Sequence, residues 1–369
     1  MHEFLGITND IKKILYITKS LEENNGWARY SKGVVGSTAA FLESFVLTSD
    51  KEFENRKSRN YLRLTTHVET PLDFLQSTFA IYKKLKFCDA AHCLVEPYIG
   101  PTFVASMLRR RKYYLTLHGT YAVIDFKKPI RALMKVLSYF CATGITTGSM
   151  QTISKLPTKY IREKVRFIPN GYDDSLFFPV DIKNEQRYLL TVGNLKSRKG
   201  QDISIEAISL MDHKNIKLIC VGNKENSNFF DLLNQKANAM KVTVEYRENL
   251  GDDELRDLYS NAICTISPSR NDALSFEGFP MVIYESNACG TPVIITRGSG
   301  SEYAISDGKN GFLLENADPK ELALKIDFLI ESDSIKRMSE FCVQFAALHT
   351  WEKVGKKIML FYNGILYEN

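Results

Sequence analysis

Ser267-Pro268-Ser269, then Glu277-Gly278-Phe279-Pro280-Met281-Val282-Ile283-Tyr284-Glu285, then Cys289-Gly290-Thr291-Pro292-Val293-Ile294-Ile295: this stretch reads as a strand end, a loop, a short helix and a second strand. Pro280 suits the first helical position, where a missing N–H costs nothing. Gly290 suits the left-handed stop after the last turn. Val293-Ile294-Ile295 is β-branched throughout, as in a strand buried on both faces. A helix N-terminus between two parallel strands directs free N–H groups outward and favours an anion. Glu277 stands before that helix and Glu285 within it. Two carboxylates flanking an anion site point to a ligand carrying both phosphate and hydroxyl groups. The competing reading is a surface helix with two solvated carboxylates.

Outward from this stretch, strands alternate with helices. Upstream, Arg187–Gly193 is a buried strand that runs into the basic loop Asn194-Leu195-Lys196-Ser197-Arg198-Lys199-Gly200 and a helix over 201–211. Further strands are expected at 216–221 and 242–246, and a helix at 254–262. In the first half, 13–18, 45–48, 92–95 and 113–117 read as strands, with helices near 73–86 and 101–110. Such alternation predicts α/β domains with mostly parallel, doubly wound sheets, in which ligands bind beyond the strand carboxyl ends. Two features of the first half stand at those ends. Asn24-Asn25-Gly26 opens a helix, where glycine lets backbone approach a ligand, although a plain turn also fits. His118-Gly119-Thr120 follows a strand, where the imidazole could serve a site or satisfy a backbone carbonyl.

The chain has 369 residues, a length that suggests two domains, with 44% hydrophobic and 25% charged residues. The seven cysteines are scattered without a CxxC pair, which suits reduced core thiols rather than disulfides or zinc. There is neither an apolar run of membrane-spanning length nor a secretory pattern at Met1-His2-Glu3-Phe4, so a cytoplasmic protein is expected. The net charge of +5 permits anionic partners. Its sharpest concentration is Arg109, Arg110, Arg111, Lys112, Lys127, Lys128, Arg131 and Lys135, interleaved with aromatic and aliphatic residues up to Phe140. That pattern fits either a helix lying on an anionic membrane or a packed helix with a solvated basic face. Nucleic acid is not expected, because no RNP, zinc-finger or helix-turn-helix pattern occurs.

Glu277-x7-Glu285, flanked by Pro268-Ser269 and Gly290-Thr291-Pro292-Val293, resembles the signature of retaining GT-B glycosyltransferases, in particular glycosyltransferase family 4. Val165–Asp173, with its Ile168-Pro169-Asn170-Gly171, resembles the family's entry to the interdomain linker, and Lys199-Gly200 its Lys-Gly phosphate loop. Gly26 and His118-Gly119 resemble its loops on the acceptor side. The resemblance implies two Rossmann-like domains facing across a cleft: residues 1–178, completed by a C-terminal helix at 350–369, and residues 179–349, which bind the donor. It implies transfer of a sugar from a nucleoside diphosphate to an acceptor hydroxyl, such as that of a lipid-linked or cell-surface glycan precursor. Glu277 and His118 would serve the reacting centre. Lys199, Arg198, the Asn194 position, Glu285, the amides of Met281 and Val282, and Gly26 would hold the donor. Cations replace a metal in this scheme, and neither a metal nor a cofactor besides the donor is expected. Asn194 and Asn25 depart from the family's Arg and Gly. Those losses keep open an inactive partner subunit, and the fold also allows a nucleotide-sugar epimerase.

Overall fold

The computed structural model describes residues 11–22, 25–50, 61–64, 68–180, 188–213, 215–224, 227–271, 276–278, 281–331 and 334–365. Asn24, Arg187, Phe279 and Pro280, all named above, lie outside the described residues. The chain forms two compact units, Met1–Asn170 with Trp351–Asn369, and Gly171–Thr350.

In the first unit the strands are β1 (Lys13–Ile17), β2 (Glu43–Thr48), β3 (Tyr61–Arg63), β4 (Ala90–Cys93), β5 (Lys112–Leu117), β6 (Gly144–Thr147) and β7 (Val165–Phe167). The helices are α1 (Gly26–Thr38), α2 (Pro71–Leu85), α3 (Ile99–Arg109), α4 (Pro129–Cys141), α5 (Met150–Ser154) and α6 (Lys159–Glu163). The strands form one parallel sheet in the order β3-β2-β1-β4-β5-β6-β7. Both faces are covered, which is why the strands read as continuous apolar runs. Leu15 and Ile17 of β1 face a core shared with α2, α3 and α4, while Ile14 and Tyr16 point to the other side. Local chemistry sets the helix starts. Pro71 opens α2 behind a capping box: Thr70 Oγ1 accepts the Asp73 N–H at 3.1 Å, and Asp73 Oδ2 accepts the Thr70 N–H at 2.9 Å.

The second unit contains β8 (Tyr188–Val192), β9 (Lys217–Val221), β10 (Val244–Arg247), β11 (Thr265–Ser267), β12 (Val293–Thr296) and β13 (Gly311–Leu314). Its helices are α7 (Gln201–Leu210), α8 (Ser227–Met240), α9 (Asp252–Asn261), α10 (Val282–Ala288), α11 (Pro319–Glu331) and α12 (Ser334–Ala346). Again the sheet is parallel, in the order β10-β9-β8-β11-β12-β13. The chain winds outward from β8 in one direction and returns to its other side at β11. The gap between β8 and β11 is therefore the topological switch point, where ligands of doubly wound sheets bind. Tyr172, near the end of the Val165–Asp173 segment, and Phe177 beyond it are buried in this unit's core.

A last helix, α13 (Trp351–Tyr362), returns to the first unit and covers the Ile14–Tyr16 face with α1. Gly33 makes this possible: a Cβ there would lie 2.1 Å from the Trp351 ring. At the far end Tyr362 reaches the sheet, its hydroxyl 2.5 Å from Nδ1 of buried His92, whose Nε2 is 2.9 Å from Thr116 Oγ1. Burial pushes His92 down to about 3, so the ring is neutral at physiological pH.

Candidate functional site

The loop after β8 is a tight basic turn. Gly193 (φ +141) leaves the strand, Ser197–Lys199 form a 3-10 turn, and Gly200 (φ +74) starts α7 from a left-handed conformation. Only glycine fits at 200, because a Cβ would stand 2.1 Å from the carbonyl oxygen of Pro268. The loop therefore leans on the strand end of β11. Arg270, just beyond, secures it from outside. Its N–H donates to the Arg198 carbonyl at 2.8 Å, and its guanidinium to the Ser197 carbonyl at 2.6 Å. The guanidinium also makes a forked bond to Asp202 in the first turn of α7, at 2.8 and 2.6 Å.

The outcome is a three-residue charge cluster at the switch point. Glu277 Oε2 lies 2.5 Å from Arg198 Nη1 and 2.8 Å from Lys199 Nζ. The Glu277 main chain is fixed on both sides: its N–H donates to Asn271 Oδ1 at 2.9 Å, and its carbonyl accepts from Gly300 at 2.9 Å. Burial alone would push this carboxyl up. Lys199 and Arg198 overcome that and hold it down at about 2. Two cations thus surround one anion in a largely buried setting, with one positive charge in excess. Such a cluster attracts a further anion.

Glu285 lies in α10, buried, where it accepts the Tyr259 hydroxyl at 3.1 Å through Oε2. The described helix starts at Val282 with Met281 as its N-cap, and the N–H groups of Tyr284 and Glu285 both donate to the Met281 carbonyl. Gly290 takes the expected left-handed conformation at φ +82. Asn194 contributes its carbonyl, which accepts from Gln201 Nε2 at 3.3 Å.

His118 and Gly26 belong to the first unit. His118 Nε2 lies 2.8 Å from the Leu94 carbonyl, so it carries the proton and donates. Its main-chain N–H donates to Glu96 Oε1, and its ring meets Tyr30 edge-on at 4.7 Å. Burial pushes His118 down to about 4, so the imidazole is neutral with Nδ1 as acceptor. Glu96 is a buried acid at the end of β4 that sequence reading did not single out, because nothing local distinguishes it. Its Oε2 has no hydrogen-bond partner among the described residues, and burial raises the carboxyl to about 7. Gly26 is the first residue of α1, and the Asn25 side chain accepts the Ala28 N–H at 3.0 Å. The residue found in place of a glycine is thus a helix cap.

One expectation is corrected. Lys135 is not a solvated surface cation. Its ammonium turns inward and donates to the carbonyls of Tyr121 and Val123 at 2.6 and 3.0 Å, and burial lowers its pKa.

Residues 173–344 match the family model described as glycosyl transferases group 1. The chain is similar to an uncharacterized glycosyltransferase of Methanocaldococcus jannaschii, 27% identical over 328 residues, which are 85% of this chain and 87% of the relative. The fold matches Anabaena HepE in complex with UDP-glucose, with a TM-score of 0.77 at 18% identity over 94% of this chain and 98% of that one. Residues 173–344 are a group 1 glycosyltransferase region, in a chain of GT-B fold. A D-inositol 3-phosphate glycosyltransferase of Acidothermus cellulolyticus is 28% identical over 225 residues, 56% of this chain. The match spans about half the length of that relative, 49%. Within the group 1 match lie Arg198, Lys199, Glu277 and Glu285; His118 and Gly26 fall outside it. Among the described residues no helix is long and apolar enough to cross a membrane.

Proposed function

We propose that the enzyme transfers a hexose, with retention of configuration, from a nucleoside diphosphate sugar to a hydroxyl of a lipid-linked or cell-surface glycan precursor. The observation that carries this reading is the Arg198–Lys199–Glu277 cluster at the switch point of the second unit. The diphosphate of the donor would take the excess positive charge of Arg198 and Lys199. As the glycosidic bond breaks, negative charge grows on that diphosphate. Cations already in place, in a site sheltered from water, stabilise the transition state more than the ground state. No metal is required for that role. Glu277, anionic and fixed by its own main chain, would accept hydrogen bonds from hydroxyls of the transferred sugar. Glu285, oriented by Tyr259, would accept from the ribose, and the amides of Met281 and Val282 would donate to the diphosphate. His118, neutral with Nδ1 as acceptor, would orient a hydroxyl near the reacting carbon.

Uridine is the favoured base, supported by the UDP and UDP-glucose complexes of the Anabaena neighbour. Of the departures that suggested an inactive subunit, Asn25 has a structural duty as a helix cap. A soluble phosphorylated polyol is the second reading of the acceptor, favoured by the inositol phosphate relatives. We further propose that the enzyme works at the cytoplasmic face of the membrane, where a lipid-linked acceptor is presented. Thermal shift with UDP-, GDP- and ADP-sugars tests the donor class, because a ligand bound only by the native state raises the midpoint. A panel with no shift would remove the donor site.

A further inference from the structure

Helix α4 is apolar on both sides. Toward its own unit it turns Ala132 and Val136, which pack on the core, together with Lys135, Ser138 and Tyr139. The last three are tied down: Lys135 to the turn carbonyls above, Ser138 Oγ to Met134 O at 2.7 Å, and Tyr139 Oη to Ala122 O at 3.0 Å. Further bulky apolar residues face outward. Ile130 (80% exposed), Leu133 (59%), Leu137 and Phe140 (51%) recur at helical spacing, and Phe126 (70%) precedes them. A stripe of this kind is unusual on an unpartnered surface.

A second stripe lies on α2, with α3 packed between the two helices. On α2, Leu72, Leu75 and Phe79 are also exposed, and Arg131 Nη2 donates to the Glu69 carbonyl at 3.3 Å, joining the starts of the two helices. Charge around these stripes is mostly positive, with Asp125 standing 4.0 Å from the Lys128 ammonium as the nearby acid before α4. Across α2, α3 and α4 the only acid is Asp73, against the bases Lys83, Lys84, Arg109, Arg131 and Lys135. Asp73 is occupied in the α2 capping box. Exposed Lys127, Lys128 and Arg131 rim the start of the α4 stripe.

We propose that the outer face of α4, extended by α2, docks on a bilayer of anionic phospholipid. Ile130, Leu133, Leu137 and Phe140 enter the boundary between headgroups and acyl chains, while Lys127, Lys128 and Arg131 meet the phosphates. A protein partner would be expected to offer acids opposite the bases; an anionic membrane offers both the charge and an apolar layer beneath it. The inference deepens the proposed function by naming the surface that meets the membrane, and it is read separately from donor binding.

The experiment is flotation of the full chain with vesicles of phosphatidylcholine alone or with phosphatidylglycerol, at low and high salt. The native protein floats with phosphatidylglycerol vesicles at low salt, and salt weakens the binding. K127Q/K128Q/R131Q lowers partitioning by about 100-fold, since each basic residue near an anionic surface contributes roughly a fivefold factor. I130S/L133S/F140S abolishes flotation, and because these side chains are exposed, both variants keep the native melting temperature within a few degrees. Calorimetry with UDP-glucose gives the same affinity for all three proteins. Native protein that stays with the soluble fraction at low salt overturns the proposal, as does I130S/L133S/F140S floating like the native chain. Concentration-dependent dimers that I130S/L133S/F140S dissolves would assign the face to a second copy instead.

Discussion

Lys199 Nζ stands 2.8 Å from Glu277 Oε2, joining the loop that leaves β8 to the loop that leaves β11 across the switch point of the sheet. The pair, with Arg198, makes the cluster self-neutralising in part, so on the proposed reading a donor diphosphate would meet one net positive charge rather than two bare cations.

Glu277→Gln should remove the ion pair and leave two cations without their anion. At neutral pH the loss is about 3 kcal/mol of stability, in line with removal of one partner from a buried pair. The carboxyl is held at about 2 against an ordinary value of 4.5. Its contribution is therefore full above about pH 4.5 and disappears as pH falls toward 2. Denaturant titrations from pH 7 to pH 3 should show the native and variant curves converging on acidification. A difference that does not change with pH would contradict the assignment.

The same substitution should tighten binding of UDP by about three- to tenfold, because a nearby negative charge is gone, while turnover falls. Weaker UDP binding would mean that Glu277 organises the cations more than it competes for them.

Gly200→Ala should cost roughly 2 kcal/mol or more, from a positive φ and a Cβ driven into the Pro268 carbonyl. Urea unfolding measures it. Unchanged stability would show that the loop moves aside freely, and UDP affinity should then stay the same too.

Glu96 gives the opposite pH signature. Burial raises its carboxyl from 4.5 to about 7. Its contribution is full below about pH 4.5 and is lost as pH rises through about 7. The difference in melting temperature between Glu96→Gln and native protein should therefore move in favour of the variant between pH 5 and pH 8. Parallel profiles would place the carboxylate in a wetter setting.

Tyr362→Phe should destabilise the first unit by about 1–3 kcal/mol, since it removes the hydroxyl that faces Nδ1 of buried His92. Equilibrium denaturation checks it, and a neutral result would mean that α13 is held by its apolar face alone.

Much of this was legible in the sequence. The alternation of β-branched runs with amphipathic segments locates the sheets, while the helix expected near 73–86 starts two residues earlier, at Pro71 behind its Thr70 cap. Gly290 is readable because the end of α10 demands a left-handed conformation. What could not be read is the choice of partner across loops. Nothing in Asn194–Gly200 says that Arg198 and Lys199 turn toward Glu277, or that Arg270 braces the loop through Asp202. Periodicity says which face of a helix is apolar and not which face is covered, so Lys135 reads as a surface charge although it points inward.

The central claim is that Arg198 and Lys199 hold the donor diphosphate, and calorimetry with UDP, GDP, ADP and the matching nucleosides tests it most directly. The account predicts that one diphosphate binds the native protein, UDP being favoured, and that R198A/K199A weakens it by about 30-fold or more while the bare nucleoside binds both proteins equally. Equal affinity of the diphosphate for native protein and R198A/K199A would contradict it.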